Sequence, residues 1–343
     1  MIRLTWRQFR TEAIIGIGAV LVVAVVLAIT GPHLISVYRT APDQLTSTYP
    51  TLQTALGVLL VVVPALTGVF FGAPLIAREL ETGTYRLAWT QSVTRLRWVV
   101  VKLAFVGLAS SLLAEVFSLV AAWWANPIDI TNATRFDPAN FGMLGIVPFG
   151  YALFAFALGA TTGLLFRRTL PAMAATLVGY VGVRYLVTFL VRPHFEAPLH
   201  ETSALKMANS PTSGVGFNFS RGSGGLSLTA QNPNIPNGWG LSAEIVDKSG
   251  HAPTSAFLSR ACPQFTGPVQ GVGRLAGGSH GRAGANDSMQ SCIESVATRF
   301  HLLLTYQPAN RYWPFQIYET ALFVVLGLAL AGLTLWWVRR RVA

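Results

Sequence analysis

The sequence predicts an all-α transmembrane fold, a six-helix bundle with an extracytoplasmic mixed domain inserted between spans five and six. Three observations predict it. The first is composition: 52% of the 343 residues are hydrophobic and 11% are charged, against about 25% charged in ordinary soluble domains. The second is that windows of the length needed to cross hydrocarbon recur at Ala13–Thr30, Thr54–Ala77, Val99–Trp124, Met143–Phe166, Leu170–Val191 and Gln316–Val338. The third is the placement of the basic residues. Arg3, Arg7 and Arg10 precede span one, and Arg78, Arg86, Arg95, Arg97 and Lys102 surround the connection from span two to span three. Arg167 and Arg168 join spans four and five, and Arg339, Arg340 and Arg341 follow span six. These thirteen of the 25 basic residues fall on one side, whereas the connections Gly31–Gln53 and Ala125–Gly142 hold only Arg39 and Arg135. Both termini are therefore expected in the cytoplasm. The net charge of +11 reads as topology, because the basic residues lack the aromatic interleaving of a nucleic-acid footprint.

The expected organisation is a membrane domain over residues 1–192, an outer domain over 193–313, and a sixth span with a basic tail over 314–343. In Met1–Glu12, Ile2, Trp6 and Phe9 recur at i, i+4, i+7, with Arg3, Arg7 and Arg10 one residue on. That pattern fits an interfacial helix and equally a charged flank of span one. Gly31-Pro32 follows the first run with no small-residue cleavage pattern, so the run is expected to stay as a helix. Gly159 and Gly163 in span four, and Gly179 and Gly182 in span five, permit close helix approach.

Glu115 and Arg184 are the clearest intramembrane charges. At 1.5 Å per residue they lie roughly 24 Å and 21 Å along spans three and five. An ion pair, a hydrated pathway and snorkelling toward the outer interface are open readings, with pairing the leading expectation. Glu319, about one turn into span six, is expected to reach the outer surface.

From Arg192 to Trp313 the composition turns to Gly, Ser, Asn and Pro. The only cysteines, Cys262 and Cys292, fall here and predict one disulfide in an oxidising compartment. Met289, Cys292, Ile293, Val296 and Phe300 mark a helix face, and Ser291 and Glu294 have capping-box spacing. The bridge would pin the glycine-rich stretch Gly267–Gly284.

Most catalytic chemistry finds no motif. None of Lys102, Lys206 and Lys248 follows a glycine, so no P-loop exists. Gly271-Val-Gly273 follows no strand pattern and reads as a loop. His194, Glu196, His200 and Glu201 lack a recognised metal spacing, and no nucleophile elbow or triad signature occurs.

The connection between spans two and three is richer. Arg78-Glu79-Leu80-Glu81-Thr82-Gly83-Thr84-Tyr85-Arg86 is followed by Trp89, Val93 and Leu96 at i, i+4, i+7, then by Thr94-Arg95 and Lys102. A charged helix, a glycine turn and an amphipathic helix suit transmission of movement from a soluble partner. At these residues the sequence resembles the permease subunits of ABC-2 type ABC exporters. The acidic pair Glu79 and Glu81, Gly83-Thr84, the run Val93-Thr94-Arg95 and Lys102 match their loop, and Arg78-Glu79, Gly83, Tyr85 and Arg86 look like the G-subfamily coupling segment. Gln91-Ser92 departs from the proline that many members carry nearby, and the outer insertion departs in size. Tyr306-Gln-Pro-Ala-Asn-Arg311-Tyr-Trp313 and Glu319 look like actinobacterial drug-efflux permeases of this kind.

The resemblance implies a subunit without its own ATPase site that works with two copies of a separate ABC ATPase binding ATP and Mg. It also implies a second permease copy as a homodimer partner, spans two and five lining the path, and amphipathic or hydrophobic substrates, antibiotics among them. The expected location is the inner (plasma) membrane. Two competing functions are a secondary transporter with Glu115 as proton site, which the missing inverted repeat disfavours, and a membrane sensor whose outer domain binds a ligand.

Overall fold

The computed structural model describes residues 2–83, 95–132, 135–205, 217–222, 225–230, 235, 237–263 and 283–341. Among them are six helices long and apolar enough to cross a membrane: Ala13–Thr40, Pro50–Thr82, Leu96–Asn132, Val147–Phe166, Thr169–His194 and Ala309–Arg340, spans one to six below. The chain divides into two compact units. One comprises Met1–Thr131, Pro138–Phe195 and Trp313–Ala343, and the other Asn132–Asp137 and Glu196–Tyr312.

Span four is the hub of the first unit. In its apolar window 72% of residues are buried, against 11% in span one, which matches a sequence apolar on every side. Spans two and four touch backbone to backbone. A Cβ placed on Gly159 would lie 2.3 Å from the Gly68 carbonyl oxygen, and one on Gly68 would lie 2.4 Å from that of Ala155. Gly72 and Gly163 repeat the arrangement one turn on, against Phe156 and Ala73. Lipid supplies little hydrophobic drive between helices, so this close approach is how dispersion holds them. Span two carries a π-helical stretch, Thr67–Gly72, just after Pro64, at the level of this contact. Hydroxyl pairs fasten the other sides: Thr162 to Thr176 of span five at 2.7 Å, and Thr161 to Thr334 of span six at 3.0 Å. Gly179 meets Leu158 of span four, but Gly182 faces open space, so the close approach expected of both span-five glycines holds for one.

The helix carrying span one runs unbroken from Ile2 to Thr40. The amino-terminal segment is therefore continuous with the span, which excludes a separate interfacial helix, and Gly31-Pro32 does not end it. Gly31 serves packing instead, since a Cβ there would meet the Trp123 ring of span three at 3.0 Å. The adjacent Trp124 is buried and donates to Thr30 Oγ1 at 2.9 Å.

In the second unit, β1 (Leu199–Ser203), β5 (His301–Gln307) and β4 (Trp239–Val246) form an antiparallel sheet in the order β1-β5-β4, and β2 (Phe217–Gly222) pairs with β3 (Gly225–Ala230). Leu226, Leu228, Ile245 and Leu302 pack with two helices, α1 (Ser255–Ala261) and α2 (Ala283–Ala297). Cys262 and Cys292 are bridged and buried in that core. Because α2 starts at Ala283, Ser291 and Glu294 lie in its interior and form no capping box, and Glu294 accepts from Gln290 at 3.0 Å. Residues 264–282, most of the glycine-rich stretch, lie outside the described residues.

Gly159→Ala is expected to destabilise the bundle by about 1–3 kcal/mol, because the new methyl group meets backbone that cannot rotate away. Gly182→Ala should stay within about 0.5 kcal/mol, and thermal unfolding of both variants in detergent checks the contrast. With 30 residues separating the cysteines, replacing both by serine should cost the second unit about 3–4 kcal/mol, read as earlier proteolysis of that unit.

Candidate functional site: a coupling junction and an intramembrane arginine pair

Span two ends where the sequence places its charged connection. Gly83 closes the helix in the left-handed region (φ 72°), a conformation that favours glycine. Of the residues singled out there, Arg78 is exposed and Glu79 is half-buried. Glu79 forms an ion pair with the buried Lys102 of span three. Lys102 also lies over the Trp98 ring, 4.7 Å from its centroid. Glu81 reaches the start of span five, accepting from the Thr169 N–H at 3.0 Å and the Thr169 hydroxyl at 2.7 Å. A carboxylate at a helix amino terminus satisfies an orphan N–H and meets the favourable end of the dipole. Arg95 opens the helix of span three, whereas Thr84, Tyr85, Arg86, Trp89 and Val93 lie outside the described residues. The last turn of span two is thus bonded to the starts of spans three and five.

At the other end of the bundle the polar residues gather around the amino terminus of span four. Gln316 of span six is fully buried. Its Oε1 accepts from the Ile146 and Val147 N–H groups at 3.1 and 3.2 Å, and its Nε2 donates to the Phe141 and Leu144 carbonyls at 3.0 and 3.1 Å. Glu115 accepts from the Phe149 N–H at 3.0 Å, so side chains of spans three and six jointly cap span four.

Glu115 and Arg184 do not pair. Glu115 is taken up by that cap, and Arg184 donates from Nη1 to the Val61 carbonyl of span two at 3.1 Å and to Tyr180 Oη at 3.3 Å. Matching depth placed both residues at one level, but they sit on helices that present them to different neighbours. Among the described residues, the ion pair with both partners fully buried is Arg192 with Glu319, at 1% and 0% exposure. Arg192 Nε lies 2.6 Å from Glu319 Oε2 and its Nη2 lies 2.8 Å from Oε1, a two-pronged contact. The Tyr151 hydroxyl donates to the same carboxylate and accepts from Arg192 Nη2 at 3.2 Å. Glu319 therefore does not reach the outer surface, because Arg192 holds it inside.

Sequence reasoning overlooked Arg192, Tyr151 and Gln316. Arg192 stands just past an apolar run and reads as a boundary, and tyrosine passes for core. The available signal was Gln316, Glu319 and Thr320 on one flank of an otherwise apolar helix. His194, Glu196, His200 and Glu201 are each held by a different partner: the Leu190 carbonyl, Arg311, Thr305 and Tyr306. Among the described residues no His, Cys, Asp or Glu cluster fits a metal ion.

Six apolar helices, tied at one end through a charged junction and capped at the other by buried polar side chains, define a multi-pass membrane protein. The family model described as ABC-2 membrane transporter related matches residues 17–192, just over half of the chain, and the protein belongs to that family. No curated protein and no solved structure is significantly similar to it.

Removing one member of the Arg192–Glu319 pair strands a buried charge, so Glu319→Gln and Arg192→Met should each destabilise by about 3–5 kcal/mol and the double variant by less than their sum. Glu115→Gln and Arg184→Gln should simply add. Thermal unfolding of both sets in detergent reads out the two cycles.

Proposed function

We propose that this chain is the membrane-spanning subunit of an ATP-driven exporter, energised by two copies of a separate ABC ATPase that bind ATP and Mg. A second copy of the permease completes the complex in the plasma (inner) membrane. Both termini lie in the cytoplasm, with the unit Glu196–Tyr312 outside. The charge asymmetry of the connections and the cysteine pair in that unit support the orientation. The cargo is an amphipathic or hydrophobic compound, antibiotics included, moved outward along spans two and five.

One observation carries the coupling. The turn at Gly83 is joined by Glu79 to span three and by Glu81 to span five. A push on the connection Arg78–Arg97 by a closing ATPase dimer is therefore delivered to three spans together. The two carboxylates divide the work. Glu79 neutralises a buried lysine and is needed for the fold, whereas Glu81 is exposed and holds only the junction to span five.

The chain should co-purify with an ATP-hydrolysing subunit from its native membrane. Glu79→Ala should lower the thermal midpoint in step with a loss of about 3 kcal/mol or more, because Lys102 loses its partner. Glu81→Ala should leave folding and ATPase association intact while substrate stimulation of ATP hydrolysis falls. Unchanged stimulation in Glu81→Ala would refute this role for the junction.

A further inference from the structure

Span five carries two arginines eight residues apart, and both touch Tyr151. Arg192 spends its Nε–Nη2 edge on the Glu319 carboxylate. Arg184 stacks on the Tyr151 ring, 4.6 Å from its centroid, and uses only Nη1, on the Val61 carbonyl and Tyr180 Oη. Its own Nε–Nη2 edge donates to nothing among the described residues, and no carboxylate there neutralises it. Three of the five N–H groups that a guanidinium carries are therefore uncommitted, and two of them form the parallel fork that fits a carboxylate or phosphate.

Gly142 lies against one end of the fork: a Cβ there would fall 3.1 Å from Arg184 Nη2 and 3.0 Å from Tyr151 Oη, so any larger residue would crowd that nitrogen. Arg184 itself is half-buried, and the side chains about one turn away along its own helix and along that of Val61 are apolar and exposed: Val181 at 54% and Val58 at 57%. An arginine always carries its charge, and an uncompensated charge at membrane depth is costly. A ligand that brings one anionic group on an apolar body satisfies both halves of this surface.

We propose that the Nε–Nη2 edge of Arg184, between spans two and five, is an anionic-headgroup site, and that the molecule it takes is an amphiphile bearing a carboxylate or phosphate. The proposal rests on the reading that these two spans line the transport path, and it narrows the cargo from amphiphiles in general to acidic ones. Arg192 shows within the same helix what this edge accepts.

The test uses the full-length chain in phosphatidylcholine nanodiscs, titrated with cis-parinaric acid and with its methyl ester, and binding is read as energy transfer from tryptophan. The acid should bind about tenfold more tightly than the ester, as a charge-assisted contact implies. Arg184→Gln should abolish the difference and Arg184→Lys should keep part of it. Equal binding of acid and ester by the unaltered protein overturns the proposal without reference to any variant's folding. So does undiminished preference for the acid in Arg184→Gln, which would leave Arg184 a snorkelling residue. Repeating the titration in phosphatidylglycerol nanodiscs identifies the source: competition assigns the site to a bilayer lipid headgroup, and retained binding assigns it to a free acid, both upholding the anionic class. No ATPase subunit is present, so failure here leaves the coupling reading standing, and failure of ATPase co-purification leaves this result standing.

Discussion

The bundle depends on one side-chain amide. Gln316 has two acceptor positions and two donor hydrogens, and all four are used on backbone groups of the turn that leads into span four. Hydrocarbon offers no water to a helix end, so unmatched N–H groups at this buried terminus would each carry a full desolvation penalty. Pro148 removes one such donor outright, and Glu115 accepts the next, at Phe149. Gly145 completes the fit: its φ of 79° favours glycine, and a Cβ there would run into the Gln316 amide at 2.6 Å. With that end satisfied, the most buried span can sit inside the bundle, and spans two, five and six can be laid against it.

The same constraint accounts for the opposite end. Spans four and five are separated by a tight turn in which Arg167 adopts a positive φ of 55° and its N–H caps the Gly163 carbonyl. Span five then begins on Thr169, whose N–H is met by Glu81. A charged connection that reads as a docking loop is therefore also a piece of helix capping. In the proposed coupling, structural support and transmission of force share the same residues, because a rigid junction is a condition for moving several helices at once.

Much of the architecture is legible in the sequence because it is set by length. The six apolar runs survive as spans, and Gly83 terminates span two as the expected glycine turn. Ends are less legible. Helix one continues ten residues past Thr30 because Gly31 packs on Trp123 and the proline ring is tolerated on an open flank. The polar constellation was misassigned for a different reason. Depth along a helix follows from counting, whereas azimuth depends on which neighbour a face meets, and span four is too uniformly apolar to reveal it. Glu115 and Arg184 share a level yet answer to Phe149 and Val61, and Arg192 is drawn to Glu319 from beyond the edge of its apolar run.

The order of synthesis gives the Gln316 cap a further meaning. Spans one to five emerge first, and the residues of the second unit follow before any part of span six is made. Until residue 316 arrives, the amino terminus of span four lacks the acceptor for its first two N–H groups, and Thr161 lacks its partner at Thr334. A chain cut short by premature termination would therefore display an unfinished helix end within the bilayer. Span four is therefore completed by a side chain 169 positions further along the chain than the N–H it meets.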